Sequence, residues 1–381
     1  MGWKTGEGST GRLLQYCFGY YASYVVYGTA LKYFQAPAAA GLPGMNQPAW
    51  LAYSTVGGTV VALVVCLGLR WYRLESNRPV QWGRLRFPSE WFYILPSGVL
   101  TAIIIPATTL IFSLPISVMV AMVIMRGAVI VVSRIVDAIQ IRQGLLHRKV
   151  HPFENAAVVF ALLAVASTLF FGNSNGHAFD FVHSAAAMTI LSSYVVAYGL
   201  RIYIMNYYKN TRAAGIRMND KGFFAVEQMS AFTTLAVVTL VLLAVRTPAD
   251  STGLRGQIAL FQAAVHTPHP LWKQAALAGM SYGIVAFFSV FLFMFKGRTA
   301  TFAGLVNRLT SLVAGTTATL LFWLAFKGKS PAAEDWLSLG FILIAVGLLA
   351  AAERQRAAPD GGAQPAAAAA SGSQASGVSR A

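Results

Sequence analysis

The chain has 381 residues, 56% of them hydrophobic and only 11% charged, with a formal net charge of +16. A water-soluble domain carries about 25% charged residues, so most of this surface is built for a medium other than water. The basic excess does not mark a nucleic-acid binder, because the cations lie in short loops between apolar runs, where they orient membrane helices.

Apolar runs of about 20 residues match a hydrocarbon core ~30 Å thick, and continuous rather than alternating runs predict helices, not barrel strands. The first stretch, Leu13 to Phe34, predicts a helix over 13–34 and is too long for a signal-peptide core. Tyr20, Tyr24 and Tyr27 share one face of it, either as rings for a base or sugar or as a packing face with paired hydroxyls. Lys32, near its outer end, is expected to snorkel to the interface. A second helix over 50–70 carries Gly57 and Gly58, which allow close approach or hinging, and a third over 91–112 carries Pro96 and Pro106, which allow bends. The fourth, 115–142, holds Arg126 near its middle, with Arg134 and Asp137 spaced as a local ion pair or gate element.

Further helices are predicted over 153–172, 182–206 and 223–246. In the sixth, Arg201 reads as an anchor at the cytoplasmic end; in the seventh, Glu227, Ser230 and Thr234 share a face with Gln228 adjacent. The segment 247–273 is the longest loop, and Pro268-His269-Pro270 suggests an extended or interfacial stretch. Helices over 274–296, 299–325 and 335–352 complete the set. From residue 353 the composition turns to Ala, Gly, Ser, Gln and Pro, which predicts a disordered tail over 353–381. The two cysteines, Cys17 and Cys66, fall inside predicted helices, so neither a disulfide framework nor a metal set is expected; no metal or cofactor is implied.

With the N-terminus (1–12) in the cytoplasm, the inner segments hold 18 Lys and Arg and the outer ones 5. That split places both termini inside and supports an even number of spans. The fold expected is therefore an all-α integral membrane protein of about ten transmembrane helices, arranged as two inverted five-helix repeats over 13–172 and 182–352. In such folds substrate sits at mid-membrane between the halves. Aligned without gaps, the fourth and ninth helices place Arg126 on Arg308, each nine residues after a small hydroxylated residue, Ser117 and Thr299.

A buried arginine costs about 2.5–3.5 kcal/mol on insertion scales, and it does not shed its charge. Either Arg126 and Arg308 line a cavity and hold an anion, or one of them neutralises Glu227, the one acid well inside a predicted helix. Thr301, Gly304, Arg308, Ser311, Gly315 and Thr319 form a small and polar stripe with Asn307 beside it, which suits a cavity wall or a helix contact. Glu227 suits proton coupling or structural pairing.

Gly304-Leu305-Val306-Asn307-Arg308 resembles the G-A-L-N-K motif of nucleotide-sugar transporters, and Met125-Arg126-Gly127-Ala128-Val129-Ile130 is similar to an M-L-R-G-A-V-I segment of the F group of solute carrier family 35. Both belong to the drug/metabolite transporter superfamily, whose five-plus-five architecture the whole span 13–352 resembles. The resemblance implies that Gly304, Asn307 and Arg308 help bind the nucleotide part of a substrate. Where that family has F-Y-N-N, this chain has Phe224-Ala225-Val226-Glu227-Gln228, with an acid and a glutamine in place of the two asparagines.

The function expected is a secondary transporter of a small organic anion or phosphorylated metabolite, possibly a nucleotide sugar. Its site would comprise Arg126, Arg308, Asn307, Gly304, Glu227, Gln228 and Tyr24. The alternatives are a proton-coupled exporter of cationic or amphiphilic compounds using Glu227, and an intramembrane enzyme or a channel. No H-E-x-x-H pattern supports enzyme chemistry. The expected partners are a small-molecule substrate and the lipid bilayer, of a bacterial inner membrane by preference, with the chain a monomer or homodimer.

Overall fold

A computed structural model describes residues 10–82, 85–146, 152–167, 183–213, 216, 218–248, 251–295, 300–328, 330–331 and 333–357. They form eleven α-helices: α1 (Thr10–Gln35), α2 (Gln47–Gly68), α3 (Trp91–Ser113), α4 (Val118–Arg142), α5 (Pro152–Ala166), α6 (Ala185–Asn210), α7 (Asp220–Ala244), α8 (Gly253–His266), α9 (Trp272–Phe293), α10 (Ala300–Phe326) and α11 (Ala333–Ala357). Eight are long and apolar enough to cross a membrane. The tyrosine-rich α1 and the fifteen described residues of α5 fall outside those eight. Helix starts follow local chemistry. Asn46, Ser117, Ser184 and Asn219 each accept a hydrogen bond from a backbone N–H of the first turn of α2, α4, α6 and α7, satisfying donors the helix leaves open.

Ten of these helices coincide with the ten expected, and three features differ. The 247–273 segment contains α8, fourteen residues with Leu254, Ile258, Phe261 and Val265 on one stripe. It is pinned where the Tyr53 hydroxyl donates to the Ala264 carbonyl (2.7 Å) and where Gln262 Nε2 donates to the last carbonyls of α7. Between α2 and α3 lies an antiparallel hairpin, β1 (Pro79–Trp82) and β2 (Leu85–Pro88), paired Val80 to Phe87 and Trp82 to Leu85. Helix α11 runs on through the charged residues to Ala357, past the expected end at 352, because hydropathy marks where lipid ends and not where a helix must. The rest of the expected tail, and the 168–172 end of the expected fifth helix, lie outside the described residues.

Packing brings distant helices together. Helix α2 lies along α9, and α3 along α7; α1 packs on α9 and α10, while α6 packs on α3 and α4; α5 packs on α11, and α4 on α10. Glycines set the closest of these approaches. A Cβ at Gly57 would run into the Ala276 carbonyl and one at Gly279 into the Ser54 backbone, while on the other pair a Cβ at Gly98 would strike the Glu227 carbonyl and Ser230. Close backbone contact is how helices associate where apolar surface gains nothing by leaving lipid. The outward faces are apolar, with Leu240, Val241 and Leu324 more than half exposed, as a hydrocarbon surround requires. Gly57 thus serves close approach.

Candidate functional site

Arg126 is the ninth residue of α4 and is 3% exposed. Its Nη2 donates to the hydroxyls of Tyr20 (3.0 Å) and Tyr24 (3.1 Å) on α1, and its carbon Cζ lies 5.7 Å from the Tyr24 ring centre. Its Nε–H is buried without an acceptor, and no carboxylate pairs with it among the described residues. The Tyr20 hydroxyl donates onward to Asn307 Oδ1 (3.4 Å), and Asn307 Nδ2 donates to the Ser289 hydroxyl (3.4 Å). This chain of polar groups edges a cavity. Its wall comes from α1, α3, α4, α6, α7 and α9, including Tyr20, Tyr24, Arg126, Tyr194, Tyr198 and Tyr282. Gln228 is part of this wall, and its Nε2 is a second buried donor without a partner.

Glu227 lies fully buried in α7, and its partner is neither of the two arginines weighed for it. Arg201 grips it bidentately, Nε to Oε1 at 2.8 Å and Nη2 to Oε2 at 2.7 Å, and the Ser97 hydroxyl donates to Oε1 at 2.6 Å. Arg201 is therefore not an interfacial anchor. Its side chain is 7% exposed and its charge is matched inside the bundle. The sequence could not reveal this because it depends on how α6 meets α3 and α7, not on depth alone. The pairing leaves both Arg126 and Arg308 without that acid.

Arg308, the ninth residue of α10 and also 3% exposed, faces elsewhere. Its Nη2 donates to the Val129 carbonyl (3.3 Å) and to the Ser133 hydroxyl of α4. It lines a second cavity, toward the C-terminal halves of α4 and α6, together with Ser133, Arg134, Asp137, Glu154 and Asn206. The two arginines thus occupy matching positions in their helices but border different spaces. Arg134 reaches α5, with Nη1 3.9 Å from Glu154 Oε2 and Nε donating to Asn155 (3.3 Å). The small stripe on α10 meets α4: Gly315 lies against Met122, and the Thr319 hydroxyl accepts from the Met119 N–H (3.0 Å). Gly304 lies on α10, but its surroundings fall outside the described residues.

Lys32 also departs from expectation. Instead of snorkelling, its Nζ donates to the carbonyls of Phe112 (2.7 Å), Leu114 (3.1 Å) and Ile116 (2.8 Å), closing the corner between α3 and α4. A helix end with open carbonyls supplies a better partner than headgroups across the same reach. Tyr27, the third tyrosine of the α1 face, bonds Thr109 (2.8 Å) and packs on Tyr282 with ring centres 4.7 Å apart.

The wall residues that sequence reasoning missed include Tyr194, Tyr198, Tyr282 and Ser289. The signal for two of them was in the sequence. Tyr194 and Tyr198 repeat on α6 the i, i+4 spacing of Tyr20 and Tyr24 on α1, at nearly the same distance from the helix start.

No protein-family model and no curated protein matches the chain. One crystal structure, described only as that of a protein, is similar over 91% of this chain and 99% of its own length, at 15% identity and a TM-score of 0.45. At that score the likeness carries no argument about fold or function.

Proposed function

We propose that this protein is a secondary transporter that carries a small organic anion by alternating access, with Arg126 as the anion-binding group. The observation that carries the reading is a buried guanidinium that, among the described residues, bonds only tyrosine hydroxyls in the wall of a cavity. Such a group costs several kcal/mol unless water or an anion meets it, and its planar donors suit a carboxylate or phosphate.

The cavity lies between two groups of five helices that we read as inverted repeats, α1–α5 and α6, α7, α9, α10, α11. Exchanging the groups in order maps the most extensive helix contacts onto one another. The pair α2 with α9 becomes α7 with α3, α1 with α9 becomes α6 with α3, and α1 with α10 becomes α6 with α4, while α5 with α11 and α4 with α10 map to themselves. Inverted repeats with a site between them are a recurrent basis for alternating access, and the resemblance to the drug/metabolite transporter superfamily points the same way. Asn307, from the segment resembling the nucleotide-sugar motif, reaches the cavity's edge; Arg308 belongs to the inner space and would meet the anion on its way. The proposed setting is a bacterial inner membrane with both termini inside.

Counterflow in proteoliposomes tests the reading. Wild-type protein preloaded with small organic anions should exchange a labelled one saturably, Arg126→Gln should lose the exchange, and Lys273→Ala on the outer loop should keep it. Flux that never saturates, or full exchange by Arg126→Gln, would contradict it.

A further inference from the structure

The central cavity also limits which anion it can take. We infer that its substrate is a planar, aromatic monocarboxylate and not a phosphorylated metabolite; this rests on the anion-carrier reading above.

The first limit is charge. The described wall holds two cationic side chains, Arg126 and Arg201. Arg201 has its charge matched by Glu227, which takes its Nε–H and one Nη2–H in a bidentate pair. Arg308 points into the inner space and bonds α4. One positive charge is left for the ligand. A single carboxylate balances it. A diphosphate brings at least two negative charges into a buried site with one countercharge, and an unpaired buried charge is strongly unfavourable.

The second limit is the form of the wall. Five tyrosine rings line it. Tyr20 and Tyr24 stand edge to face with centres 5.1 Å apart, Tyr24 and Tyr282 likewise at 6.5 Å, and Tyr194 and Tyr198 at 5.3 Å are tilted by 43°. Rings so arranged leave faces and edges for another flat ring. The unused polar groups are donors: Arg126 Nε–H and the Gln228 Nε2–H groups have no acceptor. The Tyr24 hydroxyl accepts from Arg126 and keeps its own proton to give. A carboxylate, which only accepts, fits this set; an ammonium, which only donates, does not.

Thermal shift of the purified full chain in detergent tests this with defined probes: benzoate, cyclohexanecarboxylate, UDP and benzylamine. Benzoate should stabilise the protein. Cyclohexanecarboxylate, equal in charge but not flat, should bind roughly 3- to 10-fold more weakly, the worth of an aromatic contact. UDP and benzylamine should give no shift. Arg126→Gln, checked for an unchanged transition without ligand, should weaken benzoate at least about tenfold, and Tyr24→Phe by a smaller factor. Equal binding of the two carboxylates, or a UDP shift larger than that of benzoate, would overturn the aromatic monocarboxylate while leaving an anion carrier standing. Stabilisation by benzylamine with none by any anion would overturn both.

Discussion

Among the described residues three arginines lie buried inside this bundle, and what separates them is their partners. Arg201 holds Glu227 in a bidentate pair, so removing one member strands the other's charge. Glu227→Gln should lower stability by about 3–5 kcal/mol, whereas Glu227→Leu with Arg201→Met should recover most of it. Thermal unfolding in detergent measures both, and an unperturbed single variant would show that the pair is not confined. If Glu227 instead carried a cationic substrate, its neutralisation would abolish transport without unfolding the protein. The sequence marked Arg126, Arg308 and Glu227 as exceptional because ionised residues rarely lie within apolar helices. It did not say who pairs with whom. Arg201 sits about two helical turns before Lys209, and near a helix end an arginine ordinarily reads as an anchor. Only the contact of α6 with α3 and α7 shows where its guanidinium goes. Lys32 was misjudged for the same reason: its partners are three carbonyls at the end of another helix.

At the scale of elements, glycine separates contacts that matter from those that do not. Gly57→Ala should force α2 away from α9 and cost about 1–3 kcal/mol or more, while Gly347→Ala, with nothing near the new methyl, should be neutral or slightly stabilising. Melting temperatures and folded yield would distinguish the two. The α2–α3 connection and the end of α6 are joined by another buried carboxylate. Glu90 Oε1 accepts from the Asn77 N–H (2.6 Å) and from Arg212 Nη1 (2.7 Å), and Oε2 accepts from the Ser76 hydroxyl (2.7 Å). Arg212 also donates to the Glu75 carbonyl and lies over the Tyr208 ring, tying the α2–α3 connection to the end of α6. Burial pushes the Glu90 carboxyl up, but the Asn77 and Ser76 hydrogen bonds and the Arg212 charge outweigh it and hold the group below the ordinary carboxylate range. A depressed value means that the tie contributes fully above the unfolded carboxylate pKa of ~4.3 and is lost as pH falls through the lower folded value. Proteolysis of residues 71–90 should therefore accelerate only on the acid side, and Glu90→Gln should be cut quickly at neutral pH with little further change. These connections were the least legible part of the chain. The ten long helices follow from runs of apolar residues, but the hairpin rests on four-residue strands, and α8 on a fourteen-residue amphipathic pattern that a search for membrane-length runs passes over.

For the whole molecule, the proposed inverted repeats would place the cavity between two halves. Arg126 and Arg308 at the ninth position of α4 and α10, and the tyrosine pairs on α1 and α6, are matches that this proposal accounts for. The matching packing of α2 on α9 and α3 on α7 fits two units that rock against each other around one site. The proposed orientation rests on the 18 to 5 division of basic residues, and the long apolar helices were written in hydropathy. The separation of Arg126 and Arg308 into two spaces was not, because it turns on where each side chain bends after leaving equivalent backbone positions. A cysteine at Ser289, which borders the central cavity, in a chain with Cys17 and Cys66 replaced, reads the central claim directly. In proteoliposomes an impermeant maleimide should label it from either face, and benzoate should slow that labelling when Arg126 is present and fail to do so in Arg126→Gln. Labelling from one face alone, or protection that survives the loss of Arg126, would contradict an anion site that opens to each side in turn.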